Sequence, residues 1–444
     1  MNREEWISSP KTIAKSHKRY SHFDHRTDIQ KVWDYISCPA NIAQHSFYPF
    51  IHYTKDMSKY TKNHVLKLKE RDICYAAHRD SCIFQYYCYL LDELYKERVR
   101  LEGISDVAVA YRTDLGLNNI ALAKRAFDFI RSNDPCYIMI GDFTKFFDRL
   151  DHQYLKERWK DLLNVPTLPA DHYAVFKNIT RFSTWELDDL LTINNLPCDA
   201  EGKRQLNKQK TALTHEQFDE NRSLIKKNPN SFGIPQGSPI SALLANVYML
   251  EIDRVINHFV KERNGFYMRY SDDFIIVLPL ISEEDGRDAF SHIIGAFNDI
   301  PGIELQHEKT QFFSYDNNAL SNCGSIFSAA ADTSHRYINF LGFTFDGSKV
   351  SIRAKTISKY YYRMRRKAKT ILRHREKNKH CSCENLYRLY SERGAHINKR
   401  NTGNFLTYVG RAEKCFGSNE AVSRDTKRHM QKIRKAMTQS RKHE

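Results

Sequence analysis

The sequence has no hydrophobic run long enough to cross a membrane. Its longest apolar stretch, around residues 274–281, is far shorter than the roughly 20 residues that a transmembrane helix needs, and it contains Pro279. Residues 1–6 also lack the apolar core of a signal peptide. We therefore expect a cytoplasmic protein that does not use a membrane.

A disulfide framework is missing as well. The 10 cysteines are scattered along 444 residues without a repeating pattern, and a chain of this length does not need disulfides to build a core. His380, Cys381 and Cys383 could supply metal ligands, but no second Cys/His pair lies nearby at zinc spacing. The cysteines therefore indicate a reduced cytosolic protein, and we expect no zinc site.

The first 350 residues carry almost no net charge, whereas the last segment is strongly basic. Residues 1–350 contain 43 Lys and Arg against 46 Asp and Glu, and residues 351–444 contain 26 against 7. This asymmetry favours a polyanion held by the last segment. A solubilising tail is the alternative, but it would not show the helical apolar periodicity that begins at Thr356. Candidate contacts with a nucleic-acid backbone are Arg363, Arg366 and Lys367.

The composition is that of a globular protein, with 41% hydrophobic and 12% aromatic residues. Residues 66–75 alternate as in a half-exposed strand, whereas residues 183–230 are polar, with few anchors beyond Trp185 and Leu187. The latter pattern favours an insertion or a long connection. Apolar periodicity predicts helices over 83–99, 118–131, 154–163, from 356 onward, 404–416 and 420–441.

An acidic turn is the feature around which the sequence is organised. Residues 270–273, Tyr-Ser-Asp-Asp, lie between two runs rich in β-branched and aromatic residues, 266–269 and 274–278. This pattern predicts a β-hairpin with two carboxylates at its tip. Adjacent aspartates repel each other, so a rigid turn that presents them usually binds a cation, although solvated aspartates are common in turns.

Two further stretches place polar groups at the ends of apolar elements. Residues 137–141 form a short apolar strand that leads directly into Asp142, a third carboxylate. Residues 233–241 form a loop rich in glycine and proline that opens an apolar helix over 242–252. Such a loop allows the backbone and one amide side chain to approach a flat substrate closely.

These three stretches, in this order, resemble motifs A, B and C of the reverse transcriptase palm, and the resemblance covers residues 111–345. Residues 302–310 are similar to the motif D loop, and residues 338–343 to the primer-grip hairpin. The resemblance implies an α+β right-hand polymerase fold with fingers, a palm of antiparallel sheet plus helices, and a helical thumb. We therefore expect fingers over 1–134, a palm over 135–350 with a polar insertion at about 183–230, and a basic helical thumb over 351–444.

The resemblance also implies that nucleotides are added to a 3′-hydroxyl with two Mg²⁺ ions, for which Mn²⁺ can substitute. Asp142 and Asp272 would hold both ions, Asp273 would assist, and the backbone carbonyl of Phe143 would be a further ligand. Lys309 resembles the motif D lysine that can protonate pyrophosphate. An ordinary surface lysine is the alternative for this position.

A nucleotide pocket follows from the same resemblance. Arg71 resembles the arginine of a basic fingers hairpin that holds the triphosphate, with Lys69 as its neighbour, and a charged strand face is the alternative. Gln236 and Gly237 would line the pocket. Phe147 stands where reverse transcriptases place an aromatic gate against the ribose 2′-hydroxyl, whereas RNA-dependent RNA polymerases usually have an aspartate there. Phe147 therefore favours DNA synthesis.

The remaining expected contacts lie along the nucleic acid. Leu341 and Gly342, in the hairpin that resembles the primer grip, would lie near the primer end. Arg112 belongs to a region that packs under the template in the family, and it would contact a phosphate. The expected partners are an RNA template or structured non-coding RNA, the cDNA product and dNTPs. Whether the protein forms a homo-oligomer or binds a partner protein stays open.

The compact plan and residues 45–87 are similar to the bacterial defence-associated reverse transcriptases, which are related to the retron and group II intron enzymes and act against phage with a structured RNA. We expect no integrated nuclease or integrase domain after the thumb. The sequence lacks the Val-Thr-Gly tripeptide of retron thumbs. The alternatives are a group II intron or retron type enzyme, a template-independent or protein-primed DNA polymerase, and a palm kept for RNA binding or splicing.

Overall fold

The computed structural model describes residues 2–55, 57–60, 66–279, 282–327, 333–377, 381–395 and 403–438. Helices and mainly antiparallel sheets together make an α+β fold, as the sequence predicts. The strands are β1 (Phe50–Thr54), β2 (Met57–Tyr60), β3 (Leu66–Lys69), β4 (Asp72–Tyr75), β5 (Cys136–Asp142), β6 (Ser183–Glu186), β7 (Lys226–Lys227), β8 (Phe266–Tyr270), β9 (Asp273–Pro279), β10 (Gln311–Asp316), β11 (Ala319–Asn322), β12 (Ile338–Phe340), β13 (Phe343–Phe345) and β14 (Val350–Ile352).

Helices surround these sheets, and several begin at side-chain caps. Asn118 accepts hydrogen bonds from the amides of Ile120 and Ala121, and Asp151 accepts one from Tyr154. The helices are α1 (Arg3–Ser8), α2 (Pro10–Ser16), α3 (Trp33–Ile36), α4 (Pro39–Ala43), α5 (His78–Leu101), α6 (Asn119–Ser132), α7 (Phe146–Arg149), α8 (His152–Leu163), α9 (Ala170–Thr180), α10 (Leu187–Ile193), α11 (Ala200–Leu206), α12 (His215–Glu220), α13 (Ser241–Lys261), α14 (Glu283–Asn298), α15 (Gly324–Phe327), α16 (Ala354–Glu376), α17 (Glu384–Tyr390), α18 (Phe405–Phe416) and α19 (His429–Thr438).

The central sheet has the strand order β11-β10-β5-β9-β8, with every neighbouring pair antiparallel. Successive side chains of a strand point to opposite faces, so Phe274 and Ile276 pack into one core while Ile275 and Val277 pack into another. Burial of both faces explains why the run after the acidic turn is continuously apolar. The hairpin predicted around Asp272 is confirmed, with β8 and β9 joined by a two-residue turn.

A second sheet has the order β4-β1-β6-β7, and it corrects one expectation. The segment expected as a polar insertion or connection supplies β6, which pairs in parallel with β1 so that Trp185 lies beside Ile51. Trp185 is fully buried in a small core with Phe23 and the leucines of α10. The segment is therefore a folded layer on the N-terminal sheet. Its apolar residues are too few and too closely spaced to predict short elements by periodicity.

The single strand expected over residues 66–75 is divided at Glu70 and Arg71. β3 pairs with β2 and β4 pairs with β1 in the same antiparallel register, and between the two pairs Arg71 exchanges backbone hydrogen bonds with Lys55. The interruption coincides with four consecutive charged residues, 69–72, where the alternation of apolar and polar residues stops. The two pairs therefore belong to one long hairpin, and the predicted hairpin strand is confirmed apart from this short interruption.

The C-terminal helices confirm most of the predicted pattern. Along α16, Ile357, Tyr361, Met364, Ala368 and Ile371 are all buried, in a core shared with α6 and the three-stranded sheet β12-β13-β14. The final helix is shorter than expected, since α19 begins at His429 and the residues before it form turns. Among the described helices, none is both long and apolar enough to serve as a membrane span.

Candidate active site

Three carboxylates that are distant in sequence meet at one end of the central sheet. Asp142 is the last residue of β5, and it lies directly opposite Asp273, the first residue of β9. Asp272 occupies the turn before β9, and its carbonyl oxygen accepts a hydrogen bond from the amide of Phe143 at 3.3 Å. The strand pairing between β5 and β9 thus brings the predicted aspartates together.

The electrostatics of the cluster show how closely these groups interact. Burial and repulsion from Asp142 raise the pKa of Asp272. Burial, together with repulsion from Asp272 and Asp142, raises the pKa of Asp273 to about 7. Like charges held in a partly desolvated cleft favour any cation that can neutralise them.

A lysine from the predicted motif D loop reaches this cluster. The loop is attached to the end of β5, because the amide of Gln306 donates to the Asp142 carbonyl at 2.8 Å and the amide of Lys309 donates to the Gln306 carbonyl at 2.8 Å. The Lys309 ammonium then forms an ion pair with Asp142 Oδ2. The Lys309 side chain is half-exposed.

The donor set suits a divalent cation. Asp142 Oδ1 is buried without a hydrogen-bond partner, so one oxygen of the cluster is available as a ligand. Within the described ranges, no three Asp, Glu, His or Cys side chains converge into a ready-made metal site. Mg²⁺ is usually held by one or two carboxylates and completed by water and substrate phosphates.

The Gly/Pro-rich loop before α13 lies beside α7, the short helix that follows β5, and is attached on two sides. On one side, the amide of Ile234 donates to the Phe147 carbonyl at 2.9 Å, and Gln236 Nε2 donates to Asp148 Oδ1 at 3.0 Å. On the other side, the amide of Cys74 in β4 donates to the Gln236 carbonyl at 2.8 Å. The structure therefore brings the expected pocket residues Phe147, Gln236 and Gly237 together.

Comparison with known families now decides the class of protein. Residues 93–345, more than half of the chain, match the family described as reverse transcriptase (RNA-dependent DNA polymerase). The chain belongs to this reverse transcriptase family. The predicted right-hand polymerase fold is therefore confirmed.

Solved telomerase structures also resemble this reverse transcriptase at low identity. They are apo telomerase from Candida tropicalis truncated from the C-terminal domain (15% identity, TM-score 0.39, 74% of this chain and 61% of that chain), telomerase from Candida albicans in complex with a TWJ fragment of telomeric RNA (12%, 0.39, 92% and 65%) and apo telomerase from Candida tropicalis (14%, 0.38, 78% and 59%). The chain spans less than two thirds of each telomerase chain. No curated protein matches it.

The fingers residues expected to hold a triphosphate lie on the hairpin beside β4. Arg71 is exposed, and its backbone exchanges hydrogen bonds with Lys55 at 2.9 and 3.2 Å. Lys69 ends β3, and its side chain lies outside the described residues. Because Cys74 in β4 bonds to the loop that carries Gln236, Arg71 is connected to the nucleotide pocket through three residues of strand. Contact of Arg71 with a triphosphate stays a prediction.

The hairpin expected as the primer grip is present as β12 and β13, with Leu341 and Gly342 in its turn. Leu341 accepts a hydrogen bond from Asn119 Nδ2 at 3.0 Å, and Gly342 accepts one from the amide of Arg353 at 3.0 Å. Arg353 is close enough to Asp273 to oppose the rise in its pKa. The turn is therefore placed beside the carboxylates, and its contact with a primer stays a prediction.

The other expected nucleic-acid contacts differ in accessibility. Arg112 is buried, stacks near Tyr95 and is bound to Asp114 through Nε at 2.9 Å and Nη2 at 2.7 Å. Its Nη1 has no hydrogen-bond partner, so a phosphate contact of Arg112 stays a prediction. On α16, Arg363 and Arg366 are exposed and Lys367 is half-buried, away from the apolar stripe.

Sequence reasoning missed two polar groups at the site. Asp148, directly after Phe147, is the partner of the Gln236 amide. Arg269, one strand position before the acidic turn, is completely buried. A charged residue inside an otherwise apolar strand is the signal that could have drawn attention to Arg269, because such a charge is buried only when it is paired.

Proposed function

We propose that the protein adds dNTPs to a 3′-hydroxyl on an RNA template, with divalent cations held by Asp142 and Asp272 and with assistance from Asp273. The observation that carries the proposal is the alignment of Asp142 with Asp273 across β5 and β9, with Asp272 in the adjoining turn. Cation binding is supported by the buried Asp142 Oδ1, which has no hydrogen-bond partner, and by the raised pKa values of Asp272 and Asp273. Mg²⁺ is the proposed ion, and Mn²⁺ could replace it.

Bound divalent cations would activate the 3′-hydroxyl and neutralise the pyrophosphate. The chain's own residues would position the substrates. Lys309, through its ammonium beside Asp142, would donate a proton to the leaving pyrophosphate. Phe147 would pack against the sugar, and Gln236, held by Asp148, would line the pocket. The proposed backbone ligand is the Phe143 carbonyl, which follows Asp142 directly.

The deciding experiment is primer extension with the double variant Asp272→Asn, Asp273→Asn. We expect extension to be lost while RNA binding, measured by filter retention, survives. The control is Glu284→Gln, Asp288→Asn, which removes the same charge from exposed positions of α14 and should extend like the parent protein. Extension that persists in the first variant would exclude the site.

For the biological role we propose antiphage defence with a dedicated structured RNA in the cytoplasm. Support comes from the similarity of residues 45–87 to defence-associated enzymes, from the basic exposed face of α16, and from 10 free cysteines, which suit a reducing compartment. The test is to sequence the RNA and DNA that copurify with the protein and to measure phage plaquing with the parent and the double variant. A heterogeneous RNA population with unchanged plaquing would oppose this role.

A protein-primed polymerase is the second candidate, because an exposed tyrosine, Tyr111, contacts the acidic turn. Tyr111 is exposed, and its hydroxyl donates to Ser271 Oγ at 3.3 Å. A hydroxyl near the carboxylates could act as the initiating nucleophile. Protease treatment of labelled product before electrophoresis separates the two candidates: a shift in mobility that disappears in Tyr111→Phe supports protein priming, and an unchanged mobility supports a nucleic-acid primer.

A further inference from the structure

A fully buried ion pair lies directly beneath the turn that carries Asp272. Arg269 in β8 is 0% exposed and Asp253 in α13 is 1% exposed. The Arg269 guanidinium contacts Asp253 through Nε at 2.9 Å and through Nη2 at 2.5 Å. Tyr267 binds the same carboxylate, since its hydroxyl donates a hydrogen bond to Asp253 Oδ1 at 2.7 Å. The two charges are thus paired and hydrogen-bonded inside the core.

The third nitrogen of the same guanidinium extends to the acidic turn. Arg269 Nη1 donates to the Ser271 carbonyl oxygen at 2.9 Å, which is the peptide group that joins Ser271 to Asp272. Asn246, two turns before Asp253 on α13, lies 3.4 Å from the same nitrogen. The planar Arg269 guanidinium therefore connects α13 to the backbone immediately before Asp272, a proposed metal ligand.

The turn has a conformation that needs such support. Ser271 has a φ of 62°, in the left-handed region that residues other than glycine rarely adopt. The first central position of a two-residue hairpin turn with positive φ is normally a glycine. Here the Ser271 carbonyl is held by Arg269 and the Asp272 carbonyl by the amide of Phe143. Two successive carbonyl groups of the turn are therefore fixed from opposite sides.

Stability alone does not account for this pair. Taking two charges out of water is costly, and apolar residues of similar volume would often stabilise a core equally well or better. An apolar pair could not donate to the Ser271 carbonyl. Only a planar guanidinium can bind a carboxylate through two nitrogens and still present a third.

We infer that Arg269 and Asp253 are positioning residues that fix the Ser271-Asp272 turn, and with it the Asp272 carboxylate, for cation binding. This inference rests on the proposed function, and it concerns the geometry of the turn. Asn246 and Tyr267 complete the hydrogen bonds of the pair. Residues that orient metal ligands in this way commonly have large effects on metal affinity without touching the metal.

The test compares three variants of the full chain. Arg269→Lys keeps the positive charge but removes the planar guanidinium that binds Asp253 and the Ser271 carbonyl at the same time. Arg269→Met with Asp253→Leu replaces the pair by apolar residues and should fold at least as stably as the parent. The control, Arg254→Met, removes an exposed ion pair with Glu251 on the same helix.

Mn²⁺ binding is measured by electron paramagnetic resonance without nucleotide, and Asp272→Asn defines the signal of the site. We expect Arg269→Lys and the apolar double variant to bind Mn²⁺ about 10- to 100-fold more weakly, with kcat falling and the KM for dNTP little changed. Arg254→Met should match the parent. A well-folded double variant with parental Mn²⁺ affinity would overturn the inference, because it would show that the pair only fills the core.

Thermal unfolding establishes which variants are folded. Should both Arg269 variants unfold, Asn246→Leu removes a weaker support of the same guanidinium, and it should still lower Mn²⁺ affinity; an unchanged affinity would overturn the inference. The two proposals fail separately. A parent protein with Mn²⁺ binding that depends on Asp272 but with no extension would refute the polymerase proposal and leave the positioning role intact.

Discussion

Gln236 is bonded to Asp148 through its side chain and to Cys74 through its backbone, at 3.0 and 2.8 Å. The first bond attaches the loop before α13 to the short helix that carries Phe147. The second attaches the same loop to the fingers strand that follows Arg71. Because one glutamine joins both elements, we expect a displacement of the fingers hairpin to move the wall of the proposed nucleotide pocket.

Gly237 is the position at which this connection is most sensitive. Its φ is 117°, and a Cβ atom would lie 2.3 Å from the Cys74 carbonyl oxygen, so an alanine would separate the loop from β4. We expect Gly237→Ala to destabilise the protein by roughly 1–3 kcal/mol and to raise the KM for dNTP. Steady-state primer extension and urea unfolding measure the two effects.

The matched control for that substitution is Gly295→Ala, at an exposed position near the C-terminal end of α14, where a Cβ would contact nothing within 4 Å. Alanine there should stabilise the helix by about 0.5–1 kcal/mol and leave the KM unchanged. Equal effects of the two substitutions on KM would show that the loop does not depend on its contact with β4.

Phe147 is predicted to discriminate against ribonucleotides. Its ring is half-buried against Phe146 and its carbonyl holds the loop at Ile234, so shortening the side chain should open space beside the sugar without moving the loop. We expect Phe147→Ala to raise the use of rNTP relative to dNTP at least about tenfold, corresponding to about 1.4 kcal/mol of lost discrimination. Phe147→Tyr retains the ring and should keep the parental ratio. If the ratio of kcat/KM values is the same in all three proteins, the gate lies elsewhere.

The thumb helix α16 is predicted to bind phosphates without reading sequence. Neutralising Arg363, Arg366 and Lys367 together with glutamine should weaken duplex binding and reduce the slope of log K against log salt by about 0.9 for each lost phosphate contact. The control variant changes the charge equally at scattered exposed sites, Arg204, Arg254 and Arg287. Fluorescence anisotropy at several salt concentrations gives both slopes, and identical slopes would argue against a thumb interface.

His22 is predicted to make the fingers sensitive to acid. Complete burial lowers the pKa of His22 to about 3, with neighbouring His78 lowering it further and Asp24 opposing the shift. Its Nδ1 accepts a hydrogen bond from the amide of Phe23 at 2.9 Å, which a protonated ring cannot do. Because the folded pKa lies below the unfolded value near 6.5, the stabilisation is complete above about pH 6.5 and is lost as the pH falls towards 3.

The corresponding measurement is urea unfolding between pH 7 and pH 4. The free energy of unfolding of the parent protein should fall on the order of a few kcal/mol over this range, and His22→Gln should show a shallower decline. His215→Gln, at an exposed position of α12, serves as the control. Parallel curves for the parent and His22→Gln would mean that His22 does not govern the acid response.

Local sequence patterns predicted the parts of the fold that depend on neighbouring residues. The hairpin around Asp272, the strand into Asp142 and the apolar stripe of α16 were all predictable, because side chains alternate with period 2 in strands and recur every 3.6 residues in helices. The parallel pairing of β6 with β1 was not predictable, because the two strands are far apart in the chain. The same holds for Trp185, which lies in a polar segment and is buried only by pairing with β1.

The amino-acid sequence by itself determined the class of protein, the acidic residues and the basic final segment, because these depend on residue type and local spacing. Tertiary structure alone decided that Asp142 faces Asp273, that Lys309 reaches Asp142, and that Arg269 lies beneath the turn. Such contacts join residues far apart in the chain. They arise from the register of strands and the packing of a buried charge, and neither can be obtained from a local pattern.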